Sequence, residues 1–145
     1  MSLIPKKGTV YVVDDDEAVR DSLQWLLEGK DYRVRCFDSA ESFLSRYDPR
    51  EVACLIVDIR MGGMTGLETL RRIRQVDPKQ LVILMTAYGT TQTAIEAMKL
   101  GAFDYLLKPV ESGRLEQALQ RARRRVEAER PGPMPPAPSN DAPPP

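Results

Sequence analysis

Histidine is absent from this 145-residue sequence, and cysteine occurs only twice, as Cys36 and Cys54. Without histidine there is no imidazole general base, no Ser-His-Asp or Cys-His triad, and almost no route to a transition-metal site. Both cysteines lie inside apolar runs (RVRCF and VACLIV). They read as small buried hydrophobes of a reducing compartment, not as a disulfide framework. Net charge is lacking too: 21 Lys+Arg face 21 Asp+Glu, so no global basic field exists to hold nucleic acid. No apolar run approaches the ~18 residues of a membrane span, and the opening MSLIPKKG has no signal-peptide core. The expectation is a cytoplasmic protein with no membrane partner and no direct nucleic-acid contact from this segment.

Proline is sparse until the end. Four precede residue 131, and eight of the 12 fall within Pro131 to Pro145. That composition cannot offset the entropy of ordering, so 131–145 reads as a disordered linker or tail. Its PxxP spacings fit an interdomain linker better than a docking ligand. Residues 8–130 are then one domain of ordinary size.

Within it, five short apolar runs alternate with five segments of helical period. The runs are Thr9–Val13, Tyr32–Phe37, Val52–Val57, Leu81–Met85 and Phe103–Leu107. The second alternates polar and apolar, as an edge strand with one wet face does. Gly29 and Gly101 are placed to end helices, and Asp38 with Glu41, and Thr65 with Glu68, form capping-box signatures. Asp16 reads as the first helix's N-cap. The last helix carries Leu115, Ala118, Leu119, Ala122 and Val126 on one face, and its arginines at 121–125 read as solvated. Five βα units with near-continuous apolar strands predict an α/β doubly wound parallel sheet, five-stranded and flavodoxin-like, in order 2-1-3-4-5.

Such sheets bind ligands at the carboxyl ends of their strands. There the sequence places Asp14, Asp15 and Asp16 after the first run, Asp58 after the third, Thr86 after the fourth and Lys108 after the fifth. Carboxylates ~5 Å apart repel by about 3 kcal/mol at an effective dielectric of ~20. A divalent cation relieves this, and all-oxygen donors favour Mg²⁺ or a similar hard ion. With a lysine and a hydroxyl opposite, the rim suits phosphoryl transfer onto a strand-end carboxylate.

Four blocks in order, VVDDDEAVR at 12–20, LIVDIRMGGMTGLE at 55–68, MTAYG at 85–89 and GAFDYLLKP at 101–109, resemble the receiver domains of two-component response regulators over about residues 9–128. The resemblance implies Asp58 as phosphoacceptor, Asp15 as direct Mg²⁺ ligand, Asp14 as a ligand through water or a group that supports the ligands from behind, and the Arg60 carbonyl as a further ligand. It implies that Thr86 bonds a phosphoryl oxygen, that Tyr105 changes rotamer with it, and that Lys108 binds the phosphate before a cis Pro109. One position departs: Gly62 stands where the family usually has proline, which leaves the loop beside Asp58 less restrained and bears on phosphorylation lifetime.

The implied partners are a sensor histidine kinase, a second copy on activation, and an output domain beyond the tail. The block MTAYGTTQTAIEAMKLGAFDYLLKP resembles transcription-factor receivers, so transcription is the expected output, with a stand-alone receiver acting by protein contact as the alternative. Such a protein is a switch, not a turnover enzyme. Other readings fit less well. A haloacid-dehalogenase-type phosphatase needs an aspartate where Arg60 stands, and three acids after the first strand would repel a flavin phosphate. An EF-hand starting at Asp14 would need glycine at Val19 and glutamate at Trp25.

Overall fold

β-Branched and aliphatic residues dominate the apolar runs, and their backbones pair as five parallel strands. The computed structural model describes residues 9–87 and 89–129. The strands are β1 (Thr9–Val13), β2 (Arg33–Phe37), β3 (Val52–Asp58), β4 (Val82–Thr86) and β5 (Asp104–Leu107). Between and after them run α1 (Glu17–Glu28), α2 (Ala40–Leu44), α3 (Gly66–Val76), α4 (Thr91–Lys99) and α5 (Ser112–Glu129). The sheet order is β2-β1-β3-β4-β5, the expected one. The proline-rich 131–145 and Tyr88 lie outside the described residues, as does the burial of Val126.

Alternation along the strands divides the core in two. Val10, Val12, Ile56, Ile83 and Met85 pack with Leu23 and Leu27 of α1 and with Leu115, Leu119 and Ala122 of α5. Tyr11, Val13, Val57 and Leu84 face the other way, onto Phe43 of α2, Leu70 and Ile73 of α3, and Ala97 of α4. Each fully buried aliphatic side chain contributes about 1.5–3 kcal/mol. These two layers therefore hold the strand ends in place. β2 is the wetter edge strand, with Arg33 and Arg35 exposed.

Local signals hold where no tertiary partner competes. Asp16 caps α1 by accepting from the Ala18 N–H, and Thr65 with Glu68 completes a reciprocal capping box. Four details differ from expectation. Gly29 is the C-cap of α1 but is right-handed (φ −65°), and Asp31 takes the left-handed turn at φ 68°. The N-cap of α2 is Ser39, not Asp38, its side chain accepting the Ser42 N–H, and the Glu41 carboxylate accepts the Met64 N–H at 3.1 Å instead of closing a capping box. Cys36 is only half-buried, whereas Cys54 is buried. Arg121 is not simply solvated: it donates to Asp104 Oδ2 at 3.0 Å and, with Arg125, lies over the Phe103 ring.

Candidate functional site

β1 and β3 lie side by side, with Val13 paired to Val57, so the next residues, Asp14 and Asp58, emerge together on the carboxyl rim. β4 lies on the other side of β3, with Asp58 opposite Met85, and this puts Thr86 at the same level. Thr86 pairs with Leu107 of β5, and the Lys108 N–H donates to the Thr86 carbonyl at 2.8 Å. Strand order thus gathers Asp14, Asp58, Thr86 and Lys108 on one rim, as expected from the sequence. The Lys108–Pro109 peptide bond is cis.

Lys108 Nζ lies 2.7 Å from Asp14 Oδ2 and 3.1 Å from Asp58 Oδ2. Asp14 is fully buried and Asp58 nearly so. Asp14 Oδ1 accepts the Asp16 N–H at 2.9 Å, and Asp58 Oδ1 accepts the Arg60 N–H at 3.3 Å. Burial and the neighbouring Asp14 charge raise the Asp58 pKa above its ordinary value, and the Lys108 ammonium and the Arg60 N–H only partly oppose them. Burial alone would lower the Lys108 pKa, but the two carboxylates outweigh it and the net shift is upward. One cation therefore answers two buried acids, and a negative excess remains.

Asp15 is exposed, and its Oδ2 accepts the Gly62 N–H at 3.2 Å. One carboxylate oxygen from each of Asp14, Asp15 and Asp58 falls in a group whose members all lie within 4.8 Å of one another. Asp14 Oδ2 faces the Lys108 ammonium at 2.7 Å, and a carboxylate that accepts one donor keeps further lone pairs for a cation. All-oxygen, carboxylate-rich donors fit a hard divalent ion such as Mg²⁺.

The other expected residues occupy flanking positions. Thr86 is buried at the end of β4. Tyr105 is half-buried on β5, its hydroxyl 2.9 Å from Thr93 Oγ1 in the first turn of α4. Arg60 follows Ile59 in the loop after β3 and is exposed.

Three features were missed by sequence reasoning. Gly66, taken only as part of a cap, packs against the acceptor's own backbone: a Cβ there would lie 2.6 Å from the Asp58 carbonyl oxygen. Glu41 reaches the β3–α3 loop from α2. Asp104 gathers Arg114 and Arg121 of α5. The glycine two residues before Glu68 was a visible signal for the first. The other two are contacts between distant residues with no local pattern.

Comparison with known proteins agrees with this geometry. The family model for the response regulator receiver domain matches residues 10–120. The transcriptional regulatory protein FixJ of Bradyrhizobium diazoefficiens is 41% identical over 121 residues, covering 83% of this chain and 59% of FixJ. The transcriptional regulatory protein ZraR of Salmonella typhimurium is 37% identical over 120 residues, covering 83% of this chain and 27% of ZraR. The chain thus spans only part of these relatives. Among solved structures, a response regulator receiver domain protein from Clostridium thermocellum superposes with a TM-score of 0.80 at 31% identity, covering 83% of this chain and 98% of that one. The family match over most of the chain, the 41% identity to FixJ and the close superposition on a solved receiver domain agree with one another, and the chain belongs to the response regulator receiver domain family.

Proposed function

We propose that Asp58 is the phosphoacceptor of a signalling switch, charged by the phosphohistidine of a sensor histidine kinase with Mg²⁺ bound at Asp14, Asp15, Asp58 and the Arg60 carbonyl. The observation that carries this reading is the cluster of three carboxylates within 4.8 Å, two of them bridged by Lys108. In the transfer an Asp58 carboxylate oxygen attacks phosphorus, the P–N bond to histidine breaks, and the imidazole leaves with the bond pair. When bound, Mg²⁺ neutralises charge on the transferring phosphoryl oxygens. Lys108 meets those oxygens from the opposite side, and in doing so gives up its contact with Asp58. The apolar groove beside Lys108, lined by Val19, Leu23 and Leu26 of α1 and by Pro109 and Val110, offers a partner a seat next to the acceptor.

The new dianion draws the Thr86 hydroxyl and Lys108 inward, and Tyr105 follows by releasing Thr93. The chain performs one transfer and its reversal by hydrolysis, as a switch and not as a turnover enzyme. The surface that responds is α4 and β5, where Ile95, Met98 and Leu107 are all exposed. This patch suits a homodimer on activation. Transcription is the proposed output, through a domain C-terminal to the tail, because FixJ and ZraR are both transcriptional regulatory proteins. We place the protein in the cytoplasm, and among the described residues no helix is long and apolar enough to cross a membrane.

Acetyl phosphate with Mg²⁺, followed by intact mass, tests the acceptor. One phosphoryl group is expected on the wild type and none on Asp58→Asn, and equal labelling of the two would end the reading. Sedimentation of the same samples is expected to show dimer only where phosphorylation occurs.

A further inference from the structure

The β3–α3 loop presents alternate main-chain N–H groups to three carboxylates from three different parts of the fold. Arg60 donates to Asp58 Oδ1 at 3.3 Å, Gly62 to Asp15 Oδ2 at 3.2 Å, and Met64 to Glu41 Oε2 at 3.1 Å. The middle donor sits where receivers usually carry proline, and proline has no N–H.

Neither of the ordinary reasons for glycine applies at Gly62. Its backbone is not left-handed: among the described residues the glycines with positive φ are Gly63 at 84° and Gly101 at 92°. Nor is it a close approach, because a Cβ at Gly62 would meet no atom within 4 Å. What this residue supplies, and proline cannot, is the donor itself.

That donor acts on the one exposed member of the acidic cluster. Asp14 and Asp58 are fixed by burial, Lys108 and neighbouring N–H groups. Asp15 is exposed, and an unrestrained surface side chain loses rotamer entropy when a ligand orders it. Bonded to Gly62, the Asp15 carboxylate already stands within 4.8 Å of its two neighbours. A carboxylate has two oxygens and about four lone-pair sites, so it can accept an N–H and ligate a cation together.

We propose that the Gly62 main-chain N–H is a positioning group for the cation site, holding Asp15 in the arrangement that binds Mg²⁺. This rests on reading Asp14, Asp15 and Asp58 as the ligands. Gly62 touches neither cation nor phosphate, and it acts through Asp15.

The test is calorimetric titration of the full chain with MgCl₂, for wild type, Gly62→Ala, Gly62→Pro and Asp15→Asn, with thermal melts to verify folding. Gly62→Ala keeps the N–H and is expected to bind within about twofold of wild type. Gly62→Pro removes it and is expected to bind roughly three- to tenfold more weakly, the value of one such hydrogen bond. In the metal-free protein, the Gly62 amide proton resonance is expected to move on Asp15→Asn. That readout stands even if the proline variant fails to fold.

Wild-type affinity in Gly62→Pro, an equal loss in Gly62→Ala, or a Gly62 resonance indifferent to Asp15→Asn would overturn the proposal alone. A wild type with no saturable Mg²⁺ binding, or an Asp15→Asn variant that binds as tightly as wild type, would overturn the ligand assignment and the proposal together.

Discussion

Replacing Lys108 with methionine keeps a long unbranched side chain and removes the charge that answers two buried acids. The ammonium is 2.7 Å from Asp14 Oδ2 and 3.1 Å from Asp58 Oδ2, and its side chain is 16% exposed. At an effective dielectric of ~20, contacts this short are worth about 5–6 kcal/mol each. The lysine's own dehydration cancels several kcal/mol of that, and a carboxylate left behind can take up a proton. The surviving cost is about 3–5 kcal/mol, the range for removing one partner from a buried ion pair. Urea denaturation at pH 7.5 without divalent ions measures it. In an Asp14→Asn/Asp58→Asn background the same Lys108→Met change removes no attraction, and its cost is expected to fall below about 2 kcal/mol, the packing of the alkyl stem alone. The same cost in both backgrounds would refute the electrostatic account of this site.

Two further substitutions probe the frame around the acceptor. Gly66→Ala places a Cβ against the Asp58 carbonyl oxygen and the Ile59 Cα, at 2.6 and 2.8 Å. Both neighbours are main chain, so the acceptor loop must shift, at about 1–3 kcal/mol. Slower acetyl-phosphate labelling is expected with it, and wild-type labelling and stability would count against this packing role. Asp104 accepts from Arg114 at 2.8 and 3.1 Å and from Arg121 at 3.0 Å. Burial alone would raise its pKa, but these guanidinium groups and the Tyr105 N–H outweigh it and leave the pKa below the ordinary aspartate value. A depressed carboxylate stabilises the fold above that ordinary value, and the stabilisation is lost as pH falls through the folded-state value. Asp104→Asn is therefore expected to cost about 1–2 kcal/mol at pH 7, a figure reduced for the half-exposed arginines. The gap to wild type should close as pH is lowered below about 4, and a gap unchanged down to pH 3 would contradict the ion-pair origin.

The contrast between what the sequence reveals and what it hides follows from how a parallel α/β sheet turns chain order into space. Each strand ends at the same rim, so polar residues that close an apolar run are neighbours once the strand order is known. Asp14, Asp58, Thr86 and Lys108 are legible for that reason alone, although 50 residues separate Asp58 from Lys108. Contacts that do not run through strand ends carry no such rule. The Asp38–Glu41 capping signature is a sound local pattern, yet the cap is Ser39, and a loop N–H 23 residues away takes the glutamate. Arg121 reads as one of a solvated cluster because its partner, Asp104, lies 17 residues earlier on another element. Tyr105 closes onto Thr93, whose hydroxyl looks from the sequence like an ordinary helix-start residue. Gly62 shows the opposite case. Its departure from the family pattern is plain in the sequence, where it reads only as lost restraint. The fold adds the exposed Asp15 carboxylate facing it, and an absent proline becomes a hydrogen-bond donor at the point where the cation site is otherwise least fixed.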